Sequence, residues 1–292
     1  MSGKIIDGKE LAAQLRSEIA DGVSRLKEEK GIVPGLAVIL VGDNPASVSY
    51  VTAKEKASQE AGMYSKEIRL PESTTEQELV SLVKELNSDP LIHGILVQLP
   101  VPKHISDKAV INAIAPEKDV DGFTPVNVGK MLIGEECFLP CTPHGIIKLI
   151  EFSGMDIRGK HAVVIGRSNI VGKPVAVLLS RKETNATVTL CHTGTKDISK
   201  FTKEADIIIV AAGRPMTLTG DMIKEGAVVI DVGVNRVPCP ETTRGYKLVG
   251  DADFESCSKV ASAITPVPGG VGPLTITMLL FNTLESAKRA AR

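Results

Sequence analysis

The chain has 292 residues, a length that suits two domains or one large one at about 150 residues per domain. Its 34 Lys and Arg oppose 35 Asp and Glu for a formal net charge of −1, so no global field attracts nucleic acid or an anionic membrane. Hydrophobic residues at 43% and charged residues at 24% provide a large core and exclude global disorder, and with no Trp, three Tyr and six Phe that core must be aliphatic.

Periodicity predicts a helix over 9–30, a buried strand at 36–41, a helix over 45–61, a strand at 64–70, a helix over 75–87 and a strand at 94–99. Between 99 and 143 loop signals accumulate, with prolines at 100, 102, 116, 125 and 140, and a domain boundary is placed near 141. Beyond it the pattern restarts with a helix over 143–153, a strand at 161–165, a helix over 171–182 and strands at 187–191, 206–210 and 227–231. The segment 238–246 reads as a surface loop, and the residues from Leu274 onward as one amphipathic helix. This alternation predicts parallel sheets with helices on both faces.

Cysteines at 137, 141, 191, 239 and 257 contain no CxxC pair, and no Cys/His set completes a zinc site, so free thiols and no metal are expected. The first eight residues lack a signal core, and no apolar run approaches the ~20 residues of a membrane span; a soluble cytoplasmic protein is expected.

The segment His161-Ala-Val-Val-Ile-Gly166-Arg167-Ser168-Asn-Ile-Val-Gly172-Lys-Pro174 runs from an apolar strand through a glycine turn into a helix start. A pyrophosphate needs bare backbone N–H groups at such a helix N-terminus, although the spacing is Gly-x5-Gly rather than GxGxxG and also suits an ordinary βα turn. An NAD site places an acid at the end of the next strand, and here that strand ends Cys191-His192-Thr193. Arg167 in the turn can meet a 2′-phosphate, which favours NADP, or it can be a solvated loop arginine. Gly213 and Val234 follow later strands, at carboxyl ends where open α/β sheets bind ligands.

In the N-terminal half Asn44 and Pro45 read as the cap and first residue of a helix. Its Ser47, Tyr50 and Lys54 stand at i, i+3 and i+7 on one face. A tyrosine there offers a ring for stacking and a lysine with lowered pKa offers an amine for proton transfer; the same spacing also suits a surface tyrosine packed on a lysine stem. Glu55 and Lys56 read as solvated. Gln98 is a polar residue among aliphatics at a strand's carboxyl end and needs a partner, and Leu99-Pro100 has the form of a tight, cis-compatible turn. In Asp119-Val120-Asp121-Gly122 one acid reads as structural and one as facing a ligand, since a carboxylate accepts two hydrogen bonds from an amino-pyrimidine edge. Three prolines and three glycines within 265–273 shape a loop of binding-wall or hinge type before the last helix.

Together these segments resemble the bifunctional methylenetetrahydrofolate dehydrogenase/cyclohydrolase family. The resemblance rests on Tyr50-x-x-x-Lys54, Val97-Gln98-Leu99-Pro100, Pro116 to Gly122, Gly166-Arg167-Ser168 with Val171-Gly172-x-Pro174, and the Pro266–Pro273 loop, in the family's order over nearly the whole chain. Thr193 stands where some relatives place a serine, keeping the hydroxyl. With nothing after residue 292 to match a synthetase, the stand-alone bacterial type is the form it resembles.

The resemblance implies two α/β domains flanking a cleft, the second a Rossmann-like dinucleotide-binding domain. The catalytic folate-binding domain would span 1–141 and the NADP domain 142–273, with 274–292 a helix packing back on the first. It also implies NADP-dependent oxidation of 5,10-methylenetetrahydrofolate and hydrolysis of the methenyl product to 10-formyltetrahydrofolate, in one-carbon metabolism. Lys54, Gln98, Tyr50 and Asp121 would be catalytic, and Tyr50, Ser47, Leu99, Asp121, Pro268, Gly269 and Gly270 would bind substrate. Gly166, Arg167, Ser168, Gly172, Pro174, Thr193, Gly213 and Val234 would hold NADP. A homodimer built through the cofactor domains is expected, with a folate as substrate and neither nucleic acid nor membrane as partner.

Overall fold

A computed structural model describes residues 3–242 and 245–291. The chain runs β1 (Lys4–Ile5), α1 (Gly8–Lys30), β2 (Gly35–Val41), α2 (Pro45–Glu60), β3 (Tyr64–Leu70), α3 (Glu76–Ser88), β4 (Gly94–Val97), α4 (Asp107–Ala113) and α5 (Pro125–Ile133). It continues α6 (Cys141–Ser153), β5 (His161–Ile165), α7 (Gly172–Ser180), β6 (Thr187–Cys191), α8 (Ser199–Thr202), β7 (Ile207–Val210) and β8 (Val228–Asp231). Last come β9 (Asn235–Pro238), β10 (Tyr246–Val249), α9 (Phe254–Ser258), β11 (Ala263–Ile264) and α10 (Val271–Ala290). The predicted strands at 64–70, 161–165 and 187–191 match residue for residue.

Contacts divide the chain into two units, one of Ala13–Cys141 with Ile276–Arg292, the other of Met1–Ala12 with Thr142–Thr275. The N-terminal residues thus differ from the expected 1–141 grouping. The reason is β1, which pairs in parallel with β11 (Lys4 opposite Ala263, Ile5 opposite Ile264) and so joins the sheet of the second unit. A two-residue strand is too short to show a period in sequence.

The first unit is built on a three-stranded parallel sheet in the order β3-β2-β4. Every residue of β2 is buried, which explains its unbroken apolar run. Ala37, Ile39 and Val41 meet Leu79, Val83 and Leu86 of α3 on one face, while Leu36, Val38 and Leu40 meet Val51 of α2 and Met278 and Leu279 of α10 on the other. A neighbouring cluster joins Ile19, Val23 and Leu26 of α1 with Leu280 and Leu284 of α10. Helix α3 starts with a reciprocal capping box between Thr75 and Glu78.

Two helices interrupt the stretch read as loop between 99 and 143. Ser106 caps α4, and Thr124 caps α5, whose Pro125 occupies the first turn and whose end is set by Gly134 at φ +81°. Proline at a helix start is favourable, so its presence there marked an initiation rather than a break. Strand β4 ends at Val97, two residues short of the predicted end, ahead of Pro100.

The second unit carries a six-stranded sheet, β1-β11-β8-β7-β5-β6, in which each neighbouring pair is parallel. From β5 the chain adds β6 on one side and β7, β8 and β11 on the other, so the order reverses at the carboxyl ends of β5 and β7. Its core gathers Val163, Ile165, Ile208, Val210, Val229 and Ile264. The predicted surface loop 238–246 connects β9 and β10, which pair as an antiparallel ladder that takes in its end residues Pro238 and Tyr246; positions 243 and 244 lie outside the described residues. Among the described residues no helix is long and apolar enough to cross a membrane.

Polar groups of α10 fasten the first unit. Buried Ser286 donates at 2.6 Å to the His93 carbonyl, with the Glu117 carbonyl also 2.8 Å from its Oγ. Ser286→Ala should lower the unfolding free energy by about 1–3 kcal/mol, the range for stranding buried acceptors. Urea denaturation measures this, and a change below about 0.5 kcal/mol would show that these carbonyls do not rely on the hydroxyl.

Candidate active site

The amine predicted for proton transfer is buried. Lys54 is 8% exposed and its Nζ donates to Gln98 Oε1 at 2.8 Å. Gln98 is fixed in turn, because its Nε2 donates to the Leu99 carbonyl at 2.7 Å and leaves Oε1 facing the amine. The polar residue beyond β4 therefore has its partner, and Leu99 contributes a backbone oxygen in addition to an apolar side chain. The Leu99-Pro100 peptide is cis.

Burial lowers the Lys54 pKa, opposed by the nearby negative charge of Asp121. Asp121 is pushed up to about 6, first by burial and then by Asp119, while Lys54 and a hydrogen bond with Cys141 pull it down. The Cys141 thiol is held well above its usual range by burial and by Asp121, so it stays protonated. Its Sγ lies 3.3 Å from the Val120 carbonyl. Amine and carboxyl thus sit in one poorly hydrated cluster, where burial pushes each toward neutrality and each favours the partner's charge. The two groups are therefore coupled, each shifted from its ordinary pKa toward the neutral form by burial. Cys141 escaped the sequence reading because nothing in its spacing distinguishes it from the other free thiols.

Of the two acids of the 119–121 turn, Asp119 has the expected structural role. Asp119 is 1% exposed and accepts from the backbone N–H of Gly122, Phe123 and Thr124 and from Asn127 Nδ2, at 2.8–3.1 Å. It is structural, and it frees Asp121 to face the Lys54 cluster. Asn282 of α10 holds the same turn, donating to the Val120 and Leu139 carbonyls at 2.8 and 3.0 Å. Helix α2 starts with the Asn44 side chain accepting from the Ser47 N–H at 3.4 Å. Ser47 is buried and Tyr50 is 51% exposed, so the three residues of the predicted face differ in environment and the tyrosine ring is open for stacking. Lys56 is solvated, but Glu55 shares a hydrogen bond with Glu67 that raises its pKa.

In the second unit Gly166 follows β5 with φ +121°, and a Cβ there would stand 2.0 Å from the Ala211 carbonyl oxygen. Gly172 packs as closely, since its Cβ would lie 2.1 Å from the Gly166 oxygen. Both positions need glycine, and together they bring the start of α7 onto the end of β5, over the point where strand order reverses. Buried Pro174 lies in the first turn of α7. Ser168 Oγ accepts from the Val171 and Gly172 N–H groups at 3.1 and 3.2 Å, an arrangement that leaves its hydroxyl proton to donate. Arg167 and Thr193 are exposed, Gly213 has φ +69° and Val234 is 53% exposed. Separately, Val267-Pro268 is cis, Gly269 has φ +111°, and a Cβ on Gly8 would fall 1.8 Å from the Gly270 oxygen.

Two family models match the chain: tetrahydrofolate dehydrogenase/cyclohydrolase, catalytic domain, over residues 6–121, and the NAD(P)-binding domain of the same family over 140–291. A bifunctional protein FolD from Moorella thermoacetica is 58% identical over 289 residues, covering 99% of this chain and 100% of the relative. Among solved structures, the Campylobacter jejuni FolD methylenetetrahydrofolate dehydrogenase/cyclohydrolase superposes with a TM-score of 0.93 at 52% identity, covering 99% of each chain. The Trypanosoma brucei enzyme, solved with NADP cofactor and an inhibitor, gives 0.95 at 42% identity and covers 100% of this chain and 99% of its own.

The electrostatics make a direct prediction. Because Asp121 favours the charged amine, Asp121→Asn should lower the Lys54 pKa further. Titration of isotope-labelled lysine side chains by NMR checks this. A Lys54 signal that titrates at the same pH in both proteins would disprove the coupling.

Proposed function

The chain belongs to the tetrahydrofolate dehydrogenase/cyclohydrolase family, and from that membership we propose how its own residues serve the two reactions. The protein oxidises 5,10-methylenetetrahydrofolate to the 5,10-methenyl compound with NADP+, then hydrolyses that product to 10-formyltetrahydrofolate. The observation that carries the residue assignment is the buried Lys54 amine held by Gln98 and charge-coupled to Asp121.

The turn after β5 fits a dinucleotide. Two obligatory glycines place the N-terminus of α7 at the strand end, where backbone N–H groups and the helix dipole favour a pyrophosphate. NADP+, when bound, supplies the hydride acceptor. Gly166, Ser168, Gly172 and Pro174 shape the phosphate turn, and Thr193, Gly213 and Val234 extend the set along the strand ends. The exposed Arg167 guanidinium matches a 2′-phosphate with a two-pronged donor, which an NAD ribose would leave unused.

In the hydrolytic step water adds to the cationic amidine carbon. The proton released is taken by Lys54, whose pKa burial lowers and whose position is fixed by Gln98. Collapse to the formyl group moves a second proton from the carbinol oxygen to the departing ring nitrogen, so one proton leaves overall. Asp121 supports the charged state of Lys54 and is available to the amino-pyrimidine edge of the substrate. The open face of Tyr50 stacks on the folate, and Ser47, Leu99, Pro268, Gly269 and Gly270 complete the proposed folate contacts.

We extend the proposal to a cytoplasmic homodimer joined through the cofactor-binding units. Support for it comes from β6, an edge strand of the sheet with Leu190 37% exposed, and from five free cysteines suited to a reducing compartment.

Absorbance of the methenyl product, followed with NADP+ and NAD+ in parallel, tests the assignment; no product with either cofactor would refute it. Lys54→Met should slow hydrolysis of the methenyl compound by at least ~100-fold, the lower range for a lost proton-transfer group. Near-normal hydrolysis in that variant would remove Lys54 from the mechanism. Arg167→Ala should raise KM for NADP+ by roughly tenfold or more while leaving KM for NAD+ nearly unchanged. Equal effects on both would mean that Arg167 does not read the 2′-phosphate.

A further inference from the structure

Two buried acids of the second unit have no part in the chemistry above. Asp231 ends β8 at 3% exposure, and Asp251 is fully buried. Asp251 Oδ2 accepts from the Ala212 and Gly213 backbone N–H groups, each at 2.7 Å, in the loop after β7. Its Oδ1 accepts from Asn235 Nδ2 at 2.8 Å. Asp231 in turn holds the Asp251 segment: Oδ1 accepts from the Asp251 N–H at 2.9 Å and the Gly233 N–H at 3.0 Å, and Oδ2 from the Ala252 N–H at 2.9 Å. The backbone closes tightly around both. A Cβ on Gly233 would stand 2.2 Å from Asp251 Oδ1, and one on Gly250 would stand 1.8 Å from Asp231 Oδ2.

Two buried carboxylates side by side are an expensive way to hold loops, since each must be desolvated. Burial pushes Asp231 up to about 6, with Asp251 adding to the rise and three backbone N–H groups opposing it. The arrangement fixes three segments at once: 211–213 after β7, 232–235 after β8, and 250–252. The first two contain Gly213 and Val234, the cofactor residues proposed furthest along the strand-end edge from Thr193. Asp231 lies at the last ladder position of β8, opposite Val210, and Asp251 lies outside the strands, so both carboxylates act on the loops beyond the sheet.

We propose that Asp251, braced by Asp231, is a positioning residue for the dinucleotide site, presetting the loops after β7 and β8 for the cofactor. The inference rests on the NADP reading of this unit and names residues that act through Gly213 and Val234. Asp251→Asn keeps the shape but turns one accepting oxygen into a donor, which must face either the two loop N–H groups or the Asn235 amide.

The test measures NADPH binding by fluorescence in wild type and Asp251→Asn, together with KM for NADP+, hydrolysis of the supplied methenyl compound without cofactor, and the unfolding midpoint. The expected result is a Kd for NADPH raised about tenfold, the loss of roughly one charge-assisted bond. KM for NADP+ should follow, and cofactor-free hydrolysis should stay within about twofold of wild type, the reaction being assigned to Lys54 of the other unit. Asn235→Ala, at a half-buried position, should shift Kd in the same direction by a smaller factor. Unchanged Kd in both variants, or hydrolysis and binding lost in parallel with a collapsed unfolding midpoint, would overturn the inference. Failure of wild type to bind NADPH would instead overturn the functional reading on which it rests.

Discussion

The burial of one lysine amine constrains the whole first unit. An ammonium cannot be desolvated without partners, and Lys54 meets this requirement with a neutral amide at 2.8 Å and a carboxylate that is itself desolvated. Gln98 must then stand just past β4 with its amide locked by the Leu99 carbonyl. Asp121 must stand in a turn whose own hydrogen bonds are satisfied elsewhere. Burial shifts both Lys54 and Asp121 away from their ordinary pKa toward the neutral form, and each opposes that shift in the other.

That turn is stabilised without using Asp121. Asp119 takes three backbone N–H groups and the Asn127 amide, and Asn282 of α10 ties the carbonyls of Val120 and Leu139 together. Removing either support would relax the segment bearing Asp121. The C-terminal helix is therefore part of the reactive architecture, since it fills the face of β2 formed by Leu36, Val38 and Leu40 and also braces the turn.

The second unit solves a different problem with backbone rather than side chains. Close approach of Gly172 to Gly166, and of Gly166 to Ala211, compacts the strand end until helix N–H groups face the site. Ser168 and the buried acids Asp231 and Asp251 then fix loops that carry few contacts of their own. A site assembled from loop backbone needs such anchors, because nothing in a parallel sheet continues past the last ladder hydrogen bond.

Local chemistry was legible in the amino-acid sequence. Apolar runs located β2, β5 and β7, Asn44-Pro45 located the start of α2, and the glycine spacing located the turn between β5 and α7. Tyr50, Lys54, Gln98 and Asp121 stood out as polar residues in places that require a reason. Short elements were not legible: β1 and β11 have two residues each, and α4 and α5 lay among prolines whose role at a helix start resembles a loop signal. Nor were the partnerships. Lys54 reaches Gln98 across 44 residues, Asp251 reaches Gly213 across 38, and Asn282 reaches Val120 across 162. The sequence by itself determined the longer elements and the polar residues that need a partner, because capping, periodicity and glycine turns act within a few positions. Tertiary structure alone decided that Cys141 joins the Lys54 cluster and that two buried acids hold the loops after β7 and β8, because burial and charge coupling depend on what packs nearby in space.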